Sequence, residues 1–137
     1  MRDAKSWIEA GAATDVGKVR RQNEDNYLAA TRLGLWAVAD GMGGHEAGDI
    51  ASRVVVEELA AIAVPATASE LLASCERHIV SANSRLKKLG DERGALIGTT
   101  VGVRREDRRD LRSCDRRLLE LGALRDHERH GGGREQR

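Results

Sequence analysis

The chain contains no phenylalanine, and Trp7, Tyr27 and Trp36 are its only aromatic residues. A core without large rings must be built from Ala, Val, Leu and Ile, which bury less area per residue and give modest stability. Cysteine occurs twice, at Cys75 and Cys114, and neither has a partner at metal-ligand spacing, which argues against a disulfide framework and a zinc site. No basic segment followed by an apolar run opens the chain, so no signal peptide is expected. The longest apolar run, Leu59 to Ala66, is too short to span a bilayer. A reducing cytoplasm is the expected compartment. Charge of one sign is lacking too: the formal net charge is +1 over 137 residues, which implies no overall pull toward nucleic acid or membrane.

That near-neutral sum hides an asymmetry. Residues 1–103 hold 12 Lys+Arg against 14 Asp+Glu, whereas residues 104–137 hold 11 Arg, no Lys and 8 Asp+Glu. The first stretch has regular hydrophobic patterning. Residues 8–16 fit a short strand ending at Gly17. Tyr27–Ala30 and Leu35–Ala39 read as two more strands with a tight connection at Arg32-Leu33-Gly34. The second of these, LWAVA, is a near-continuous apolar run, as expected of a strand buried on both faces. DGMGGHEAGD follows and reads as a loop by its four glycines.

A helix is expected next. Its stripe is Ala47, Ile50, Ala51, Val54, Val55, Glu58, Leu59 and Ile62, with Glu58 the one polar intruder and Pro65 just past the end. Thr67-Ala68-Ser69-Glu70 has the form of a capping box opening a second helix. Its stripe is Leu72, Cys75, Ile79, Ala82, Leu86 and Leu89, with Gly90 as C-cap. Cys75 on that stripe is a small core residue. Ala95–Val103 reads as the start of a strand. After Val103 the periodicity stops, with 19 charged residues in 34, and a solvated or disordered tail is expected. Leu111, Leu118, Leu121 and Leu124 leave a short helix as the other reading.

Two clusters carry chemistry. One is Arg20-Arg21-Gln22-Asn23-Glu24-Asp25; the other is Asp40-Gly41-Met42-Gly43-Gly44-His45. A buried strand ending in Asp-Gly puts a carboxylate at a sheet rim and lets a backbone carbonyl turn toward the same point. Hard cations such as Mg²⁺ and Mn²⁺ prefer these oxygens. Read alone, the second cluster is as often a plain glycine-rich turn. Glu24 and Asp25 are adjacent, so in extended chain they point to opposite sides and only one easily shares a metal with Asp40. Arg20, four positions before Glu24, can offer a guanidinium fork to a phosphate. Alone, this cluster reads as a charged surface turn.

Together the motifs change the odds. The chain resembles the PP2C (PPM) metal-dependent protein serine/threonine phosphatases, bacterial type, over about residues 11–103. The resemblance rests on Arg20 to Asp25, Asp40 to Gly44 and Gly98-Thr99-Thr100, in order and in register. His45, Ala47, Gly48, Ala51 and Ser52 add to it. It implies an α+β fold, the N-terminal part of a four-layer αββα sandwich. It also implies hydrolysis of phosphoserine and phosphothreonine with two Mn²⁺ or Mg²⁺ ions and a bridging water. Asp40 is then the bridging carboxylate, Gly41 offers its carbonyl, and Glu24 or Asp25 holds a metal directly or through water. Arg20 contacts the substrate phosphate. The implied partners are phosphorylated Ser/Thr proteins and a Ser/Thr kinase, with no nucleic acid and no membrane. His45 is expected to cap or pack at the helix start, with a proton donor near the metals as the other reading.

The family's later metal-binding elements, Gly-Asp-Ser-Arg, Asp-Gly and Gly-Asp-Asn, do not stand in this chain. The expectation is therefore an incomplete domain over 1–103, inactive alone, followed by an Arg-rich segment over 104–137 that is disordered or out of frame. A non-catalytic remnant that keeps a phosphate- or metal-contacting surface is the alternative.

Overall fold

Between Asp25 and Val103 apolar residues alternate or recur at helical spacing, and regular elements follow from that pattern. The structure, a computed structural model, describes residues 9–43, 47–65, 67–107 and 110–122. In chain order these form β1 (Asp25–Ala30), a single 3₁₀ turn (Thr31–Leu33), β2 (Leu35–Met42), α1 (Ala47–Ala60), α2 (Ala68–Arg93), β3 (Gly98–Asp107) and β4 (Asp110–Gly122). The strands make one antiparallel sheet in the order β1-β2-β3-β4. α1 packs on β1, β2 and β3, and α2 lies against α1. The result is an α+β arrangement of one sheet layer and one helix layer.

The core lies between these layers. Leu35, Ala37 and Val101 point inward from the sheet to meet Ala51, Val54, Val55 and Leu59 of α1. Cys75, Ile79, Ala82 and Leu86 of α2 close it from the side. Burial pushes the Cys75 thiol above its usual range, consistent with a packing role. Thr67 caps α2 with the expected box: its side chain accepts from the Glu70 amide, and Glu70 accepts from the Thr67 amide. Glu58, the polar intruder, is held where α1 meets α2, accepting from Arg85 Nη1 at 2.9 Å and paired with His78 Nδ1 at 3.2 Å. Burial opposes its charge, but bonds from Arg85, His78 and Ser81 outweigh that and hold its carboxyl below the usual range.

Several expectations differ from the fold. Residues 9–16 form no strand and are exposed, because among the described residues no strand lies beside them to supply a ladder; Ile8 lies outside the described residues. β2 is buried on one face only: its residues alternate, and Val38 is 65% exposed. The helices cover one side of the sheet, and among the described residues no helix or strand covers the other, where only the segment before β1 lies over the Asp25–Asp40 end. Asp40, Gly41 and Met42 belong to β2 rather than to the glycine-rich loop, because β3 continues to pair with them. In α2 the core position is Leu71 rather than Leu72, and Gly90 lies buried inside the helix. Gly94, in the left-handed region at φ +61°, is the cap.

The segment after Val103 differs most. Where its charge predicts a solvated tail, β3 runs on to Asp107 and Asp110–Gly122 pairs with it as β4, which also replaces the short helix as far as Gly122. Ladder bonds are made by backbone, and an edge strand such as β4 tolerates charged residues. Leu124 and residues 123–137 lie outside the described residues. Among the described residues, no helix is long and apolar enough to cross a membrane.

Candidate metal and phosphate site

Antiparallel register makes the site. Asp25, the first residue of β1, is the Cα partner of Asp40 near the end of β2. Both side chains stand on the uncovered face of the sheet, where inner and outer positions alternate. Neighbouring like charges are costly, and the Asp25 carboxyl is held above its usual range. Burial is the largest cause, followed by the charge of Asp40 and a hydrogen bond to it; Arg20 acts in the opposite direction.

Glu24 and Asp25 take different directions. Asp25 faces Asp40, while Glu24 points toward α1, where its Oε1 lies 2.6 Å from where a Cβ on Gly48 would stand. A side chain at position 48 would push the Glu24 carboxylate out of this position. An acid against the first turn of a helix is also favoured by the helix dipole. The Glu24 carboxylate accepts from Arg20 Nη1 at 2.9 Å. Its backbone carbonyl accepts from the Gly41 amide at 3.1 Å.

Gly41 has a packing role that its sequence context did not reveal. A Cβ there would meet the Gly48 carbonyl oxygen at 1.9 Å. The missing side chain lets α1 approach the end of β2, next to Asp40. Thr99, fully buried on β3, donates its hydroxyl to the Asp40 carbonyl at 2.9 Å and so anchors the strand that carries the carboxylate.

Arg20 reaches the site from the segment before β1. Its side chain is 72% exposed, and with Lys18 it lines a cavity of about 380 Å³ floored by Asp25 and Asp40. A second hollow of about 310 Å³ opens beside the pair on the uncovered sheet face, against Tyr27, Val38, Thr100 and Gly102. Gly44 and His45 lie outside the described residues.

Three polar residues near the site received no role of their own from the sequence: Asn23 and Ser52 counted only as parts of the matching motifs, and Asn26 was not singled out. Asn23 accepts from the Asp25 amide at 3.1 Å and donates to Thr14 Oγ1 at 2.8 Å. Asn26 donates to Ser52 Oγ at 2.9 Å, tying β1 to α1, and Ser52 donates in turn to the Asp49 carbonyl. An asparagine two residues before a strand start is a local-turn signal that could have indicated the Asn23 contact with the Asp25 amide. The Asn26–Ser52 contact spans 26 positions and carries no local signal.

The pair suits a hard cation in donor type and charge: two crowded carboxylates, one resisting ionisation, gain most from a bound divalent ion. Among the described residues no group of three or more His, Cys, Asp or Glu side chains converges as a metal site. The carboxylates that the β1–β2 register brings together are those of Asp25 and Asp40.

Known proteins are similar to this chain in sequence and in fold. The chain is 41% identical over 79 residues to the serine/threonine protein phosphatase PstP of Mycobacterium tuberculosis, covering 58% of this chain and 15% of that protein. It is 34% identical over 103 residues to the protein phosphatase PhpP of Streptococcus pneumoniae, covering 70% of this chain and 42% of that one. Among solved structures, PppA of Pseudomonas aeruginosa, described as a key regulatory component of T6SS, superposes with TM-score 0.63 at 36% identity, over 66% of this chain and 40% of that one. The catalytic domain of PstP in complex with two manganese ions superposes with TM-score 0.60 at 35% identity, over 68% of this chain and 40% of that one. The chain thus spans less than half the length of these relatives. No family model matches it.

Proposed function

Because the chain belongs to the PP2C (PPM) family of serine/threonine protein phosphatases, of whose members it spans a part, we propose that it contributes a metal- and phosphate-binding half-site for hydrolysis of phosphoserine and phosphothreonine in bacterial proteins. The observation that carries this reading is the register pairing of Asp25 with Asp40 beneath Arg20. A relative's catalytic domain in complex with two manganese ions supports the choice of cation.

In this reading Asp40 and Asp25 hold the cation, and Glu24 acts from behind by setting Arg20 and the start of α1. When bound, Mn²⁺ or Mg²⁺ supplies Lewis acidity at the phosphoryl oxygens and lowers the pKa of water. Arg20 orients the phosphate. Its ion pair with Glu24 is exposed on the arginine side, so giving it up costs only about 0–1 kcal/mol. A phosphate dianion offers the guanidinium two parallel bonds in exchange. The cytoplasm is the proposed compartment, and phosphorylated proteins with the kinase that modifies them are the proposed partners.

A second reading has its own support. Two converging carboxylates are few for a dinuclear centre, so the chain by itself acts as a binding module with little or no turnover. The test is Mn²⁺ binding and Mn²⁺-dependent phosphate release from a phosphothreonine peptide, with Asp40→Asn alongside. The variant is expected to lose about 10–100-fold in Mn²⁺ affinity. Equal binding by both chains removes the role given to Asp40. Binding without turnover favours the module, and turnover at a rate typical of the family favours a self-sufficient enzyme.

A further inference from the structure

The segment before β1 reaches the carboxylate pair with little regular structure to hold it. Residues 9–20 are exposed and form no helix or strand, yet they bring Lys18 and Arg20 over Asp25 and Asp40. One side chain joins the two sides. The Oδ1 of Asn23 accepts from the Asp25 amide, and its Nδ2 donates to Thr14 Oγ1. An amide is needed for both tasks, because it offers an acceptor and a donor on one planar group.

We propose that Asn23 is a positioning residue that sets the cationic segment against the carboxylate pair. Its oxygen fixes the backbone of Asp25 and hence the aim of its carboxylate. Its nitrogen fastens Thr14, and with it the wall that carries Lys18 and Arg20. The inference rests on the metal reading of Asp25 and Asp40, and its two halves separate experimentally. Thr14→Val removes the fastening alone, whereas Asn23→Ala removes both contacts.

The test uses the full chain and two measurements. Limited trypsin digestion follows cleavage after Lys18, and loss of the free Mn²⁺ signal in electron paramagnetic resonance follows binding. Loss of the Asn23–Thr14 bond, common to both variants, is expected to raise cleavage about fivefold in each, and Thr14→Ser restores the parent rate. Mn²⁺ affinity is expected to fall about 10-fold in Asn23→Ala and to stay at the parent value in Thr14→Val. A merely structural asparagine would move both readouts together in both variants, and that result overturns the proposal. So does cleavage of Thr14→Val at the parent rate. A parent chain that binds no Mn²⁺ overturns the metal reading and the Asp25 half with it, while the cleavage rates still decide the fastening of Thr14.

Discussion

Replacing Gly41 by alanine separates two roles that the sequence left merged. Alanine keeps the backbone carbonyl, so any loss must come from the added methyl. Gly41 does not lie in the left-handed region, so alanine suits its backbone. The methyl itself has no room: the Gly48 carbonyl oxygen would be 1.9 Å away, its carbon 2.5 Å and the Glu24 carbonyl oxygen 2.7 Å. All three neighbours are backbone atoms and cannot rotate aside. Reaching ordinary contact, which begins at 3.4 Å, requires α1 and β2 to separate by about 1.5 Å. That shift opens the core at Ala47, Ala51 and Val55, which are buried on the sheet-facing side of α1. Overpacking typically costs about 1–3 kcal/mol, and rigid neighbours put this case near 3 kcal/mol. In a domain of this size that corresponds to a melting temperature lower by roughly 10–13 °C. The assay is thermal unfolding followed by circular dichroism. Gly102→Ala is the control, because its nearest neighbour is a Val38 methyl at 3.4 Å. Gly41→Ala melting within about 2 °C of the parent would refute the close-approach argument.

Two further expectations concern charge. Glu58 has a depressed carboxyl pKa in the fold, so its contribution is present above the unfolded carboxylate range and is lost as pH falls through the folded value. Glu58→Gln should therefore cost about 1–3 kcal/mol at neutral pH and progressively less in acid, read from urea unfolding at several pH values; a pH-independent difference contradicts the clasp. Arg105 continues the inward-facing series Thr99, Val101, Val103 of β3, and its buried Nε has no hydrogen-bond partner. Arg105→Leu should stabilise the chain by about 1–3 kcal/mol, and a destabilised variant would show that the arginine belongs there. A stabilising result is also what the proposed out-of-frame origin of the residues after Val103 implies. Translating the other two frames downstream of that codon decides the origin: Gly-Asp-Ser-Arg, Asp-Gly and Gly-Asp-Asn text in neither frame rules it out.

Much of the scaffold was legible because its signals are local. The capping box at Thr67 and Glu70, the helix stripes and the tight turn before Leu35 each depend on residues within a few positions of one another. The pairing of Arg20 with Glu24 follows from four-residue spacing in the same way. Across the described residues the α+β class followed from these elements.

The site needed the tertiary structure, because its contacts join residues far apart in sequence. Adjacency told that Glu24 and Asp25 diverge, but only the β1–β2 register decided that Asp25 faces Asp40. Gly41 and Gly48 look like ordinary loop and helix glycines until α1 lies on the strand, where a side chain on either would strike backbone or Glu24. The uncovered face of β2 was hidden for a related reason: an apolar run has the same composition whether one face or two are buried, and only the neighbours present decide which. After Val103, composition indicated solvation while the backbone forms a hairpin, since ladder bonds do not depend on side-chain polarity at a sheet edge.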